Sequence, residues 1–506
     1  MLFTHCTYLR IVNNTSSAMR ITVDETDNFD WDRDGNSRPD INFQNVSIGA
    51  YQSKKEREEL NALARSSWYR MHITLSNGNS INFRNDQYDA RRPNEREYRL
   101  EGADASKYSA QQLSGNDLNT FIIRTVPIEL MLIITNKDKL KNKYGQYEFD
   151  LIEAKIKEYM QALDRTGTSA KLVYIDDVIS LSPYLLSPVN PDSPQDIKGL
   201  IDNLDEKLNP RFFLILGGHS IIPFHELDNP VYDPNNPDLD PDRTVFSDNP
   251  YASKDNDYWL PERAMGRFPD AASNEPSFFI SVLEAATSRV KNAKKYSFGQ
   301  TAIVWNKASQ VVFDPIKNVE DLKDSPPIRT GDVRLEWLNK KGYLYFNLHG
   351  TEDENYPNWY GEDENKNYCV AFKPENIREA DVENAVVCCE ACYGANIVDR
   401  GVNNALSLKF LDRGAACFMG STKIAFGQST PPISCADILV QKFFERIKGG
   451  FTFGDAFLKA KEDFIGESIA TNAGLGLPRA LSAEDLKTLI EFVMFADPSS
   501  IMQEEE

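Results

Sequence analysis

Tyr343-Leu-Tyr-Phe-Asn-Leu-His349-Gly350 and Asn384-Ala-Val-Val-Cys-Cys-Glu-Ala-Cys392-Tyr-Gly394 each open as a continuous apolar run of strand length and stop at a reactive side chain. Glycine follows at once after His349 and one residue later after Cys392. Runs without alternation suit strands buried on both faces, as in a parallel sheet. In an open parallel sheet, ligands and chemistry gather outside the carboxyl ends of the strands. A histidine and a cysteine delivered to that rim by neighbouring strands would meet the requirement of a thiol nucleophile and its base.

The chain around these two strands alternates strand and helix. Met131-Leu-Ile-Ile-Thr, helical Glu148 to Leu163, Lys171-Leu-Val-Tyr-Ile-Asp, helical Asp196 to Leu208 and Arg211-Phe-Phe-Leu-Ile-Leu form a βαβαβ pattern. Pro223 to Pro261 reads as a long irregular insertion rich in Asp, Asn and Pro. Ala264-Met-Gly-Arg-Phe-Pro and helical Pro276 to Lys295 lead to a second set of strands: Thr301-Ala-Ile-Val-Trp, the histidine strand, the cysteine strand and Ala415-Ala-Cys-Phe-Met-Gly-Ser. Helices over Cys435 to Lys448 and Phe453 to Phe464 follow. Upstream, Tyr8-Leu-Arg-Ile-Val and Met19-Arg-Ile-Thr-Val flank a turn at Asn13 to Ser17, and Tyr69 to Leu75 with Ser80 to Phe83 forms a hairpin. The expected fold is therefore α/β: a parallel-sheet region in two subdomains, 125–290 and 296–506, preceded by an antiparallel β-sandwich over 1–120. Arg91 to Asn119 reads as the connection between them.

With 506 residues the chain exceeds one ordinary core. Its 41% apolar and 11% aromatic content is that of a folded globular protein. A net charge of −20 argues against nucleic-acid partners. Residues Met1 to Arg10 lack a basic start followed by an apolar stretch, and no run reaches membrane-span length. Seven cysteines is an odd number, and adjacent Cys388 and Cys389 point to opposite faces of a strand. The expectation is a reducing, cytoplasmic setting, with secretion open if a signal was trimmed.

A thiol that attacks an amide needs a proton acceptor, a proton donor for the leaving amine and donors for the oxyanion. Cys392 supplies the sulfur, His349 the proton transfer, and the backbone N–H groups near Gly350 and at Cys392 the oxyanion site. Gly394 would let the turn after the nucleophile bend. Taken singly, a strand-end cysteine is more often a small buried hydrophobe, and a strand-end histidine a hydrogen-bonded structural residue. Their joint occurrence, each beside glycine, favours chemistry.

"His-Gly" ending one strand and "Glu-Ala-Cys-x-Gly" ending a later one resembles the caspase, legumain, separase and gingipain superfamily of cysteine peptidases. The gingipain branch matches more of the chain. Phe212 to Pro223 resembles its strand-then-"Gly-Asp-x-x-x-Ile-Pro" segment. Ser247-Asp248-Asn-Pro-Tyr251, Asp255-Asn-Asp257-Tyr258 and Ala264-Met-Gly266-Arg267-Phe-Pro269 resemble its "Asp-x-x-Tyr … Asp-Tyr … Gly-Arg-x-Pro" block. Phe492 to Pro498 resembles the closing "Gly-Asp-Pro", with Ala496 for glycine. His219 stands where relatives often have Asp.

This resemblance implies a cysteine endopeptidase acting on protein or peptide substrates, with His349 as base, Cys392 as nucleophile and Asp248 as the acid that orients the imidazole. Asp257 takes the place of the carboxylate that pairs a basic P1 side chain, and Trp359 that of an aromatic cleft wall. The same residues have plainer readings, an acidic solvated loop and a core tryptophan. Cys388 and Cys389 read as packing residues. A lone Cys389-x-x-Cys392 is half a zinc site at best.

No cofactor is required by this chemistry, but calcium has a candidate loop. Asp30-Trp-Asp32-Arg-Asp34-Gly35-Asn36-Ser-Arg-Pro-Asp40 places carboxylates at positions 1, 3 and 5 and glycine at 6. The last acid falls at position 11 and no flanking helices are evident, so an acidic hairpin turn is the competing reading. The sandwich carries short motifs, Ile11 to Ser17 and Met71 to Phe83, that resemble aegerolysin-type lipid-binding proteins. A lipid or protein partner, a plain packing domain and an inhibitory prodomain, as in gingipain relatives, are its three readings. Against the peptidase stands a second class of function, a binding effector whose peptidase fold is silent or is activated only in a complex.

Overall fold

The computed structural model describes residues 4–27, 29–30, 41–61, 67–87, 96–115, 118–125, 129–288, 296–318 and 322–502. The chain divides into two units, Met1–Ile128 with Arg165–Gly167, and Glu129–Asp164 with Thr168–Glu506.

The first unit holds two five-stranded sheets. One runs Phe29–Asp30, Ser53–Asn61, Thr4–Asn14, Leu118–Thr125, Tyr108–Gly115, and the other Val46–Ile48, Met19–Asp27, Ser67–Leu75, Ser80–Gln87, Arg96–Glu101. Alternation explains the packing: Met19, Ile21 and Val23 are buried while Arg20 and Asp24 between and beyond them are exposed. Leu9, Ile11, Phe121 and Ile123 of one sheet share a core with Tyr69, Met71, Ile73 and Phe83 of the other. The rings of Phe83 and Phe121 meet at 4.8 Å. The pairing is antiparallel except between Thr4–Asn14 and Leu118–Thr125, which run parallel. The expected turn at Asn13 to Ser17 carries the chain from one sheet to the other. Buried Asn13 pins that crossing by donating to the carbonyls of Ser17 at 2.8 Å and Gly49 at 2.9 Å.

The expected connection over Arg91 to Asn119 is instead largely strand, at Arg96–Glu101, Tyr108–Gly115 and the start of Leu118–Thr125. Its polar residues misled because edge strands keep one face in water. Their apolar contribution is sparse, with Tyr98, Leu100 and Ala110 packed at the margin of the core.

The second unit is α/β with parallel sheets. Thr168–Tyr174, Glu129–Thr135, Phe212–Leu216 and Ala264–Phe268 form a four-stranded parallel sheet. The helix Gln146–Thr166 buries Phe149, Ile152, Ile156, Tyr159 and Leu163, a 3-4-3-4 spacing that lays one stripe on the sheet. The helix Pro194–Leu208 starts where Ser193 accepts from Asp196 N–H and Pro194 occupies its first turn. The second sheet has six strands, in the order Lys323–Ser325, Ser297–Ala302, Tyr343–Asn347, Val386–Cys389, Cys417–Ser421, Phe492–Ala496. Only its last edge strand is antiparallel.

The two sheets meet edge to edge at Gly266. A Cβ there would lie 2.2 Å from the Ala496 carbonyl oxygen, so only glycine lets the strands approach. The insertion over 223–261 is partly ordered into a hairpin, His225–Asp228 with Thr244–Ser247, and a helical turn, Asn249–Ala252. The strand expected at Thr301 to Trp305 lies earlier, at Ser297–Ala302. Ile303–Trp305 is a turn beyond its end.

Candidate active site

The histidine strand Tyr343–Asn347 and the cysteine strand Val386–Cys389 are direct neighbours in parallel register, with Phe346 opposite Cys389. One more ladder bond, Glu390 N–H to the Phe346 carbonyl at 2.9 Å, carries the pairing past the end of the cysteine strand. Beyond it the chains stay in contact. A Cβ built on Gly350 would lie 1.8 Å from the Cys392 carbonyl oxygen and 3.0 Å from its nitrogen. Both reactive side chains therefore leave the sheet at adjoining carboxyl ends.

His349 is fixed by a hairpin that returns beside it. Its N–H donates to the Tyr360 carbonyl at 2.9 Å, and Tyr360 N–H donates back to the His349 carbonyl at 2.9 Å. Two residues further along the same strand, Trp359–Glu362, the Glu362 carboxylate meets His349 Nε2 at 2.8 Å. Trp305 packs over the imidazole with centroids 4.3 Å apart, and Tyr368 meets it edge-on at 5.1 Å. With Nε2 occupied, Nδ1 is the nitrogen left for proton transfer.

Asp248, expected in that orienting role, is placed elsewhere. It takes Nε of fully buried Arg267 at 2.9 Å and accepts a second bond from Nη2. Arg267 Nη1 also donates to the Gly217 and Ile222 carbonyls, at 2.7 and 2.9 Å. The motif's aspartate and its "Gly-Arg" thus form one buried structural pair, and the carboxylate on the imidazole is Glu362. Sequence reading passed over Glu362, Trp305 and Tyr368. The available signal was the alternating Trp-Tyr-Gly-Glu run after His349, which reads as a strand able to fold back on it.

Cys392 keeps partial surface exposure, but its sulfur sits low and faces the Ala425 carbonyl at 3.8 Å. Burial pushes its thiol above the ordinary range. A backbone hydrogen bond at Ala425 and the charge of Lys487 work the other way, and Glu491 adds to the rise. Lys487 is itself fully buried, donating to Asp240 and to the Ile424 carbonyl at 2.6 Å, with Glu491 3.6 Å away.

Neither Gly350 N–H nor Cys392 N–H has a backbone partner among the described residues, which suits an oxyanion. The sharp turn after the cysteine is taken by Tyr393, at φ +57°, rather than by Gly394. Gly394 is needed for space, since a Cβ there would come within 2.8 Å of Cys389 Sγ. Cys388 and Cys389 are buried and their thiols pushed well up by desolvation, as packing residues are.

Trp359 is 3% exposed and stacks among Phe346, Phe372 and Phe410, and it also lines a small pocket of about 20 Å³ with Thr351, Cys392 and Tyr393. Asp257 lies on an exposed turn, where its carboxylate accepts from Trp259 N–H at 3.1 Å. Other carboxylates stand near Cys392 and His349. Asp242 accepts from Tyr393 OH at 2.9 Å and from Lys423 at 3.0 Å. Glu352, Asp353 and Glu354 stand exposed just after His349 and Gly350. His219 accepts from Phe224 N–H at 3.2 Å and lines a separate cavity of about 410 Å³ with Lys139, Lys143 and Asp270.

Of the calcium loop, Asp32, Asp34, Asn36 and Asp40 lie outside the described residues, as does the side chain of Asp30. Among the described residues no three His, Cys, Asp or Glu side chains gather as a metal site, and no helix is long and apolar enough to cross a membrane.

No protein-family model matches the chain, and no curated protein does. Two crystal structures of the Saccharomyces cerevisiae separase–securin complex match at 9% and 10% identity, with TM-scores of 0.28 and 0.29. Each match covers 46% of this chain and 14% of the other. This chain thus spans about a seventh of the length of those it matches. IP-1A from Alcaligenes faecalis matches at 10% identity and TM-score 0.18, over 24% of this chain and 94% of that one. These are distant structural likenesses, and the site's own geometry is what bears on function.

Proposed function

We propose that the chain is a cysteine endopeptidase that hydrolyses peptide bonds through a Cys392–His349 dyad. The observation that carries this reading is the contact of the Gly350 and Cys392 backbones at the ends of adjacent parallel strands, with the imidazole clamped through Nε2 by Glu362. In the reaction the Cys392 thiol gives its proton to His349 Nδ1, and the sulfur attacks the peptide carbonyl carbon. Gly350 and Cys392 N–H groups take the oxyanion, and the imidazolium protonates the leaving amine. Water, deprotonated by the same imidazole, then releases the acyl group.

Cleavage after a basic residue is supported by the exposed acidic run Glu352 to Glu354 rather than by Asp257, Asp242 being already paired with Lys423. The substrate is accordingly a protein or peptide carrying Lys or Arg at P1. A second reading has one observation in its favour. The resting thiol is neutral and turned onto a carbonyl, as expected of a peptidase fold that is silent or needs a partner for activation. The N-terminal sandwich would supply that lipid or protein contact.

The experiment is labelling with an acyloxymethyl ketone ending in Arg, followed by peptide mapping. Stoichiometric modification at Cys392, lost in Cys392→Ala, supports the enzyme. Absence of modification with and without calcium overturns it in favour of the binding effector.

A further inference from the structure

Tyr393, the residue that turns the chain after Cys392, holds φ at +57°, where a residue with a Cβ is strained. It lines the small pocket beside Cys392 together with Thr351 and Trp359. Two hydrogen bonds keep it in that conformation. Its N–H donates to the Lys423 carbonyl at 2.8 Å, and its hydroxyl donates to Asp242 Oδ2 at 2.9 Å. Asp242 Oδ1 in turn accepts from the Lys423 ammonium at 3.0 Å. The three residues close a ring. Lys423 holds the Tyr393 backbone through its carbonyl and Asp242 through its side chain, and Asp242 holds the far end of the Tyr393 ring. Asp242 is 9% exposed, so both bonds to its carboxylate are charge-assisted at a largely dry place.

Asp242 arrives there from the other sheet. The insertion over 223–261 leaves and re-enters the four-stranded sheet, between Phe212–Leu216 and Ala264–Phe268, whereas Tyr393 and Lys423 follow strands of the six-stranded one. The base of the insertion is fixed firmly. Asp240 is fully buried against Lys487, which also donates to the Ile424 carbonyl at 2.6 Å, one residue past Lys423. Asp240 Oδ1 accepts from Asp242 N–H at 3.1 Å. Asn229 Nδ2 donates to Asp240 Oδ2 at 2.9 Å and to the Asp242 carbonyl at 2.7 Å. On the returning strand, the Phe246 carbonyl accepts from the Thr422 hydroxyl at 2.8 Å. Asp242 is thus held by its own backbone, and its carboxylate acts on Tyr393 and Lys423 alone among the described residues. Long irregular loops inside compact domains are commonly functional, and this one delivers a carboxylate to the residue next to the nucleophile.

We propose that Asp242 is a positioning residue: by holding the Tyr393 hydroxyl and the Lys423 ammonium it fixes the left-handed turn that sets the Cys392 sulfur and N–H in place. The inference rests on the peptidase reading and adds to it a role for the insertion.

The test is a double-mutant cycle in the full chain, with Asp242→Ala, Tyr393→Phe and the two combined, and Asp242→Asn beside it. Peptide hydrolysis is read as kcat and KM per folded molecule, the folded fraction coming from urea titration. Cys392 is also alkylated with iodoacetamide at pH 9, a reagent too small to depend on substrate subsites. Asp242→Ala and Tyr393→Phe should each lower kcat by at least about tenfold, the scale of one lost charge-assisted hydrogen bond, and move KM less. Both remove the same bond, so the double variant should be little worse than Asp242→Ala. Asp242→Asn still accepts from the hydroxyl and should recover part of the rate. Alkylation should quicken in both single variants, because a loosened turn lets the sulfur leave the Ala425 carbonyl. Native kcat and alkylation rate in the folded variants, or losses that multiply in the double variant, would overturn the proposal. If Asp242→Ala does not fold, Tyr393→Phe, which removes a single oxygen, decides by the same two rates. A native chain that neither cleaves peptides nor takes the acyloxymethyl ketone overturns the peptidase reading instead. The iodoacetamide rates then still decide whether Asp242 holds the turn.

Discussion

Gly350 and Cys392 touch backbone to backbone, so closely that a methyl group on Gly350 would lie 1.8 Å from the Cys392 carbonyl oxygen. The contact explains why glycine follows the histidine, because any side chain would push the two strand ends apart. Gly350→Ala should therefore lower kcat/KM by at least about 10²-fold, the scale of lost proton transfer, and cost roughly 1–3 kcal/mol of stability. Reporter hydrolysis with urea titration measures both. Full activity in the alanine variant would mean the strand ends are not held as described.

Two carboxylates compete for the role of third catalytic partner, and they separate cleanly by experiment. Glu362 is bonded to the imidazole, whereas Asp248 is bonded to Arg267. Glu362→Gln should reduce kcat by about 10²-fold with little change in melting temperature, because only the base loses its orientation. Asp248→Ala should leave a buried guanidinium uncompensated and cost roughly 3–5 kcal/mol of stability, with kcat per folded molecule retained. The opposite pattern would restore Asp248 to the catalytic role.

The Cys392 thiol makes one long contact, 3.8 Å to the Ala425 carbonyl, so the fold depends on it little. Cys392→Ala should abolish hydrolysis of Lys- and Arg-containing reporters while stability shifts by about 1 kcal/mol or less. In the native chain, burial raises the thiol pKa, so alkylation by iodoacetamide should be slow at pH 7 and climb into the alkaline range. A rate that is already maximal at pH 7 would show an activated thiolate instead.

The two strands that meet at Gly350 and Cys392 were legible because parallel strands buried on both faces leave unbroken apolar runs, and glycine marks close approach. Glu362 was not, because its link to His349 is made by a hairpin folding back, a tertiary event without a fixed spacing. Asp248 was visible as a motif residue but was given chemistry that belongs to packing. Its partner Arg267 lies in the same motif block, flanked by Met265, Gly266, Phe268 and Pro269, and a charge embedded in so apolar a run could have been read as buried and in need of a carboxylate. The strands at Arg96–Glu101 and Tyr108–Gly115 escaped for a different reason. Edge strands bury too little apolar surface to leave a periodic signal.

Lys461 offers a pH signature that needs no substrate. It is fully buried, donates to Asn249 Oδ1 at 2.6 Å, and desolvation lowers its pKa to about 7, with Asp248 opposing that fall. In the unfolded chain a lysine titrates near about 10.4. Between these values the unfolded state binds a proton that the folded state lacks, so stability rises with pH across that window and is flat below it. The slope approaches about 1.4 kcal/mol per pH unit for one proton. Lys461→Met removes the titration, so the native chain should gain on the variant by roughly 1 kcal/mol per unit between pH 7.5 and 9.5. Urea unfolding of both proteins at three pH values in that range measures the gap. Parallel stability curves would show that Lys461 keeps its proton in the folded protein and that Asp248 compensates its burial fully.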